Sequence, residues 1–218
     1  MPVPRTRRTL ISALNRRMGR FRPLRKPLGA LFVKDLRRLH DVIQTTELAD
    51  RFWVFGGMLL GWARERGVLA HDNRDADFAI RSADLPRLYS AVPSLARAGF
   101  HPRFRFSNHL GDVTELTFGR RGAQFEFFVL RPAGNMLRYF MYGYGPEGPV
   151  EMEVETYDQP LVPFDVVNRT WLKPEDHERE LSLTYGNWSV PDRGWSLLDQ
   201  PNIVQRRPWL NTDYDWRA

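Results

Sequence analysis

Three carboxylates lie close together in the stretch HDNRDADFAI, residues 71–80, where Asp72, Asp75 and Asp77 precede an apolar run. Side chains two residues apart on a β-strand project from the same face, so a strand here places Asp75 and Asp77 side by side. Two parallel carboxylates repel each other unless a cation lies between them. Mg²⁺ takes hard oxygen ligands, commonly one or two carboxylates together with substrate phosphates. The pair therefore predicts a site for Mg²⁺ or Mn²⁺, and the alternative is a set of ordinary surface acids.

A phosphate-binding turn is predicted about twenty residues before the acidic pair. The run FWVFGG indicates a short strand that ends in Gly56 and Gly57, and the segment after it indicates a helix that carries Arg64. Backbone N–H groups at the start of such a helix can bind a phosphate, and Gly57 has no side chain to obstruct its approach. The alternative is a routine glycine turn with a surface arginine.

A third carboxylate is expected from a neighbouring strand. Glu126 lies in the aromatic run QFEFFVL and shares its strand face with Gln124 and Phe128. A carboxylate in such a strand needs a partner, either the metal or an arginine. Glu126 is the candidate third ligand or the catalytic base, and Glu115 on the preceding strand is a weaker candidate for the same role.

The elements that would position these residues alternate between helix and strand. The patterns predict the elements given at the end of this paragraph, with aromatic, glycine-rich loops after Pro132 and a helix interrupted by Pro93. The mixture predicts an α+β fold with a central mixed β-sheet flanked by helices. The predicted elements are a helix over 33–49, a strand over 52–55, a helix over 58–67, a strand over 75–80, a hairpin over 113–130 joined at 120–122, and a helix over 174–186.

Composition divides the chain into two parts. Of the 218 residues, 42% are hydrophobic, which suffices for one substantial core. Residues 1–34 hold ten of the 32 basic residues and none of the 26 acidic ones, so the remainder carries a net charge of −4. We predict a basic leader over 1–34 and a catalytic domain over 35–218, with Pro23 and Pro27 at the break between them. The absence of cysteine excludes disulfides and thiolate sites, and fits a cytoplasmic location.

The leader has the pattern of an amphipathic helix. Leu10, Leu14, Met18 and Phe21 recur at helical spacing, and arginines occupy the other faces. This pattern predicts that residues 1–27 bind an anionic membrane surface. The alternatives are a solvated arm and an organelle transit peptide. The sequence has no apolar run of the roughly 20 residues that a spanning helix needs.

The acidic stretch and the segment before it resemble one known family. GGMLLGWARERGVLAHDNRDADFAI is similar to the hallmark of the LicD/fukutin phosphotransferases, approximately G-T-L-L-G-x-x-R and then G-x-(I/L)-P-W-D-D-D-I-D-I. FEFFVL and LSLTYGNWSVP resemble two later features of that family, so that the resemblance covers about residues 36–195. The matching positions of the first motif, within one residue, are Gly56, Gly57, Leu59, Leu60, Gly61, Arg64, Gly67, Leu69, Asp72, Asp75 and Asp77.

The sequence departs from the family pattern at the first acid. DNRDAD is one residue longer than D-D-D-I-D, so either Asp72 matches the first acid across a bulge or Asn73 replaces it. His71 stands in place of the tryptophan and Ala70 in place of the proline. Asp72 therefore remains a candidate substrate-binding residue, while Asp75 and Asp77 match directly.

The resemblance implies a fold, an activity and partners. The fold would be nucleotidyltransferase-like. The activity would be transfer of a phospho-alcohol, choline phosphate or a polyol phosphate, from a CDP-linked donor to a hydroxyl of a glycan such as a cell-surface polysaccharide. Asp75, Asp77 and Glu126 would hold the metal and serve catalysis, while Gly56, Gly57, Arg64 and Asp72 would bind the donor.

Two other functions compete with this one. An enzyme of the same fold could transfer the nucleotide itself to a small molecule or a protein. The basic leader also suggests a function of another class, that of a nucleic-acid-binding protein. We expect no nucleic acid partner, because the rest of the chain is net negative and shows no basic, aromatic-interleaved strands.

Overall fold

The structure is a computed structural model that describes residues 22–69, 74–192 and 194–209. Besides two short 3₁₀ turns, Ser82–Asp84 and Leu197–Asp199, the described residues form helices and strands. In chain order these are α1 (Arg22–Ile43), β1 (Phe52–Val54), α2 (Gly56–Glu65), β2 (Asp75–Arg81), α3 (Leu85–Arg97), β3 (His101–Ser107), β4 (Val113–Arg120), β5 (Ala123–Ala133), β6 (Met136–Gly145), β7 (Gly148–Tyr157), β8 (Leu161–Val166), β9 (Arg169–Pro174), α4 (His177–Tyr185) and β10 (Ile203–Pro208).

Eight strands form one large mixed sheet. Its main path runs β1-β2-β5-β6-β7-β10, and β4 and β3 branch from β5. β2 and β5 pair in parallel, and the other pairs within the sheet are antiparallel. β5 is long enough to pair with β2 and β4 along its first part and with β6 at its end. The predicted class, mixed α and β around a large mixed sheet with helices, is confirmed.

α1 and α3 cover one face of the β2–β5 region. Ala76 and Phe78 on β2 and Phe125 and Phe127 on β5 are fully buried and belong to one core. α1 and α3 complete this core, because each helix has apolar residues at helical spacing along one side and buries that side. The buried helix residues are Phe32, Leu36, Leu39 and Ile43 on α1 and Leu88, Ala91 and Leu95 on α3. The opposite face of β2 and β5 carries the acidic residues.

α1 is longer at its start than its pattern predicts. It begins at Arg22 and ends at Ile43, whereas the pattern predicts a helix over residues 33–49. Pro23, which the sequence pattern places at the break before the domain, lies within the described part of this helix. The predicted boundary at residue 34 therefore lies within a helix. The apolar stripe of the predicted leader, Leu10 to Phe21, lies outside the described residues.

Two other predictions are wrong. α3 continues through Pro93 as one helix, because Leu88, Ala91 and Leu95 bury the stripe that spans it. The aromatic, glycine-rich segment after Pro132 is not loop but the β6–β7 hairpin, ten residues in each strand. Gly143 in that hairpin leaves room for the 3₁₀ turn at Leu197, because a Cβ there would lie 3.3 Å from Leu198.

The remaining predicted elements are present with shifted ends. β4 and β5 form the predicted hairpin, and its turn includes Gly122 with φ of +79°. α2 ends at Glu65, two residues before Gly67, because Arg66 takes the left-handed conformation that closes the helix. Within the described part of the chain, no helix is long and apolar enough to span a membrane.

Candidate active site

Three carboxylates meet on the face of the sheet opposite α1 and α3. Asp75 and Asp77 lie on β2, and Glu126 lies on β5 as the register partner of Asp77. One ligand oxygen from each of the three side chains lies within 4.8 Å of the other two. The parallel pairing of β2 and β5 produces this arrangement, because register partners on adjacent strands project to the same side. The structure thus brings together the three residues that the sequence singles out as metal ligands.

Asp77 is held by the start of α2. The backbone N–H of Gly57 donates a 2.6 Å hydrogen bond to Oδ2 of Asp77, and the N–H of Phe55 donates to its backbone carbonyl at 3.0 Å. The positive end of the helix dipole favours a negative group at this position. In this structure the Gly57 N–H therefore orients a carboxylate, and phosphate binding by the same turn stays a prediction.

Gly56 is required by this close approach. Its φ of +49° is a left-handed conformation, and a Cβ at this residue would lie 2.8 Å from Oδ2 of Asp77. Only glycine satisfies both the backbone conformation and the contact. Gly56 serves the site by admitting the Asp77 carboxylate.

Glu126 and Glu115 are both buried on this face. Glu126 is 5% exposed, and Gln124 lies 3.5 Å from its Oε1. Glu115 is 3% exposed and accepts a 2.7 Å hydrogen bond from the Thr117 hydroxyl. Glu115 lies on β4 two residues from Thr117, the register partner of Glu126, and is outside the group of three whose oxygens lie within 4.8 Å. Of the two candidates, Glu126 is the one that the structure groups with the aspartates.

The acidic group opens into a cavity of about 400 Å³. Among the described residues that line it are six carboxylates and one guanidinium, that of Arg64. An anionic ligand would meet net repulsion here unless a cation accompanied it. The six are Asp75, Asp77, Glu115, Glu126, Glu180 and Asp192.

Arg64 is used to hold one wall of this cavity. Its Nε donates to the carbonyl of Trp188, and one terminal nitrogen donates to the carbonyl of Val190 at 3.2 Å. Val190 lines the cavity beside Arg64. The guanidinium thus fixes the segment after α4 against α2. Its predicted assistance to a phosphate stays a prediction. Asp72 and Asn73, the two candidates for the first acidic position, lie outside the described residues.

Glu180 is a cavity residue that sequence reasoning missed. It lies on α4, is 3% exposed and accepts a hydrogen bond from the Thr156 hydroxyl on β7. Burial raises the pKa of Glu180 to about 7, although the hydrogen bonds from Thr156 and from the Tyr157 backbone oppose the shift. The only sequence signal was its position in the helical repeat, one residue before buried Leu181.

Tyr139 connects Glu180 electrostatically with the acidic group. Its ring is buried against Phe55, with centroids 5.2 Å apart. Burial raises the pKa of Tyr139, and the charges of Glu180 and Asp77 add to the shift. Tyr139 is therefore a neutral side chain in the cavity wall throughout the physiological pH range.

Comparison of the chain with protein-family models gives no match, and comparison with curated proteins gives none either. The resemblance to the LicD/fukutin family rests on the motif residues alone, and membership in that family stays a prediction.

Proposed function

We propose that the chain is a metal-dependent transferase that moves a phospho-alcohol from a CDP-linked donor to a glycan hydroxyl. The proposal includes a nucleotidyltransferase-like fold. The observation that carries it is the group of Asp75, Asp77 and Glu126, with oxygens within 4.8 Å of one another at a cavity of about 400 Å³. The motif resemblance contributes the classes of donor and acceptor.

The donor set suits a hard divalent cation. All three residues offer carboxylate oxygens, which Mg²⁺ and Mn²⁺ prefer over nitrogen or sulfur ligands. When bound, the cation would supply positive charge to the phosphate oxygens of the donor and to the attacking oxygen. The positive charge of the cation is needed because the six carboxylates around the cavity repel a diphosphate.

The side chains of the chain position the reaction. Gly57 fixes Asp77, and burial in β5 fixes Glu126, so that the ligand oxygens are in place before substrate binds. The acceptor oxygen forms a bond to the phosphorus that bears the alcohol, and the bond from that phosphorus to the bridging oxygen breaks. CMP leaves with the bridging oxygen, and the hydroxyl proton passes to a carboxylate of the group.

The deciding experiment identifies the product. The full chain is incubated with Mg²⁺, a panel of CDP-choline, CDP-ribitol and CDP-glycerol, and several glycans, and the products are analysed by mass spectrometry. We expect CMP release together with an acceptor that gains the alcohol phosphate. A nucleotide attached to the acceptor would instead establish the alternative, a nucleotidyltransferase.

A matched variant makes that experiment specific to the site. Asp77→Asn should abolish transfer, while Glu115→Gln changes a similarly buried carboxylate outside the group of three and should retain measurable transfer. If both variants transferred at the wild-type rate, the acidic group would have no part in the reaction.

A further inference from the structure

An amide side chain in the cavity wall lacks the hydrogen bonds that its burial demands. Gln200 lines the cavity and is 4% exposed. Among the described residues, its Oε1 has no hydrogen-bond partner, and its Nε2 contacts only the sulfur of Met141, at 3.4 Å. Sulfur is a weak acceptor. A buried amide in this state is suited to a ligand that offers one donor and one acceptor side by side.

The rings of Trp195 and Tyr185 line the same cavity as Gln200, and Trp195 lies five residues before Gln200 in the chain. Trp195 is 37% exposed, and its ring lies against that of Tyr185 with centroids 4.9 Å apart. Leu197 lies between Trp195 and Gln200 and also lines the cavity. Flat aromatic surfaces bind planar rings by stacking. The wall therefore combines a stacking surface with an amide edge.

The segment that carries Gln200 is fixed to the sheet. The Ser196 hydroxyl accepts a 3.2 Å hydrogen bond from the N–H of Leu198, and Arg206 on β10 donates to the Leu198 carbonyl at 2.7 Å. The N–H of Ile203 bonds the backbone carbonyl of Gln200 at 3.4 Å. These bonds fix the backbone that carries the Gln200 side chain, so the amide projects from a fixed position before a ligand binds.

We propose that Gln200 reads the hydrogen-bonding edge of a nucleobase that stacks on the Trp195 and Tyr185 wall. Nucleobases in protein sites are commonly held in this way, by hydrogen bonds to the ring edge and by stacking on aromatic side chains. Cytosine offers an amino donor at N4 beside an acceptor at N3, which matches Oε1 and Nε2 of the amide. The choice of cytosine over other bases rests on the CDP-linked donor proposed above.

The cavity then has two parts with different chemistry. The carboxylates of Asp75, Asp77 and Glu126 would serve the phosphate end of the donor, while Gln200 and Trp195 would serve its base. Both parts line one cavity of about 400 Å³, within the range of small-molecule sites. Gln200 would act in binding and base selection rather than in the chemical step.

The test compares a ligand that has the base with one that lacks it. Calorimetric titration with CMP, AMP and ribose 5-phosphate, each with Mg²⁺, is carried out on wild type, Gln200→Leu and Gln200→Glu. We expect Gln200→Leu to weaken CMP binding at least tenfold and to leave ribose 5-phosphate binding unchanged. Gln200→Glu keeps the side-chain size but replaces the donating nitrogen with an acceptor, so it should also weaken CMP binding.

The control is Gln205→Leu, an exposed glutamine on β10, which should bind CMP like wild type. Unchanged CMP affinity in both Gln200 variants would overturn the proposal, as would an equal loss for both ligands or no CMP binding by wild type. AMP binding tighter than CMP would overturn the assignment to cytosine. Should Gln200→Leu fail to fold, the near-isosteric Gln200→Glu decides.

Failure of this inference can be distinguished from failure of the proposed function. Gln200-dependent CMP binding without any transfer of an alcohol phosphate would leave this inference standing and remove the proposed function. Transfer from a CDP-linked donor with unchanged KM in Gln200→Leu would support the proposed function and overturn this inference.

Discussion

Asp77 and Glu126 are register partners on the parallel strands β2 and β5, although 49 residues separate them in the chain. Their pairing, with Asp75 two residues away, concentrates three carboxylates within 4.8 Å of one another. Such a group is stable only if a cation or hydrogen-bond donors offset the mutual repulsion. Metal binding and stability should therefore be coupled at this position.

Asp75→Asn, Asp77→Asn and Glu126→Gln should each abolish the rise in melting temperature that Mn²⁺ or Mg²⁺ gives the wild type. Each loses one charged ligand, so turnover in the transfer assay should fall at least about a hundredfold, corresponding to about 3 kcal/mol of barrier.

Without metal, Asp75→Asn should melt no lower than wild type, because one repulsive charge is gone. Glu115→Gln is the matched control and should keep the metal-dependent shift. Near-normal turnover of Asp75→Asn with Mg²⁺ would contradict the assignment.

The contact between Gly56 and Asp77 gives a second prediction. Gly56→Ala should lower both the free energy of unfolding and the metal affinity, because its Cβ would meet the Asp77 carboxylate at 2.8 Å in a left-handed backbone conformation. Gly134→Ala is the control, since Gly134 also has a positive φ, +67°, but a Cβ there would have no neighbour within 4 Å.

The backbone strain common to both variants should cost about 1–2 kcal/mol in urea unfolding. The excess cost in Gly56→Ala, and a metal affinity lowered by about tenfold or more, would report the displaced carboxylate. Equal stability and equal metal affinity in the two variants would show that the Asp77 carboxylate moves aside without consequence.

Buried Glu180 predicts a pH dependence of stability. Burial raises its pKa from 4.5 to about 7, so the folded protein binds a proton that the unfolded chain releases between these values. This contribution to the free energy of unfolding is full below about pH 4.5, falls as pH rises to about 7, and is lost above it. Its size is on the order of 3 kcal/mol.

The measurement is urea unfolding of wild type and Glu180→Gln at several values between pH 5 and pH 8. Glutamine keeps the size of the side chain but cannot ionise, so the variant should gain stability relative to wild type as pH rises. The difference between the two proteins removes contributions from other groups, such as His177, whose pKa burial lowers. A pH-independent difference would show that Glu180 does not titrate in this range.

Local sequence patterns predicted the parts of the site that depend on neighbouring residues. The two-residue repeat of β2 gave the common face of Asp75 and Asp77, and the β4–β5 hairpin was evident from its turn at Gly122. The grouping of Glu126 with the aspartates required only that β5 lie beside β2. The common face and the hairpin follow from strand periodicity and a short connection, which a sequence displays directly, whereas the parallel pairing of β2 with β5 is a long-range contact.

Other parts of the site depend on contacts between distant segments. Glu180 is buried because α4 packs on β7. Gln200 is buried because its turn packs against the β6–β7 hairpin. The glycine and aromatic content of that hairpin led the sequence analysis to predict loops there. The hydrogen bond from Gly57 to Asp77 is likewise a contact that sequence reasoning missed, and phosphate binding by the same turn stays a prediction. Polar burial created by long-range docking leaves no periodic signal, so these residues could be identified only from the fold.

The last prediction concerns the basic leader, most of which lies outside the described residues. Ten positive charges without an acid in residues 1–34 should attract an anionic membrane, at about 1 kcal/mol for each residue near the surface. Because the described part of α1 starts at Arg22, a deletion of residues 1–21 removes the apolar stripe and keeps every residue of α1 that the structure describes. Co-sedimentation with phosphatidylserine vesicles should recover the full chain at low salt and release it at high salt, whereas the deleted protein should stay in the supernatant. The deleted protein should retain turnover on water-soluble acceptors, because the acidic group and the described residues that line its cavity all follow residue 54. Equal sedimentation of the two proteins would reduce the leader to a solvated arm.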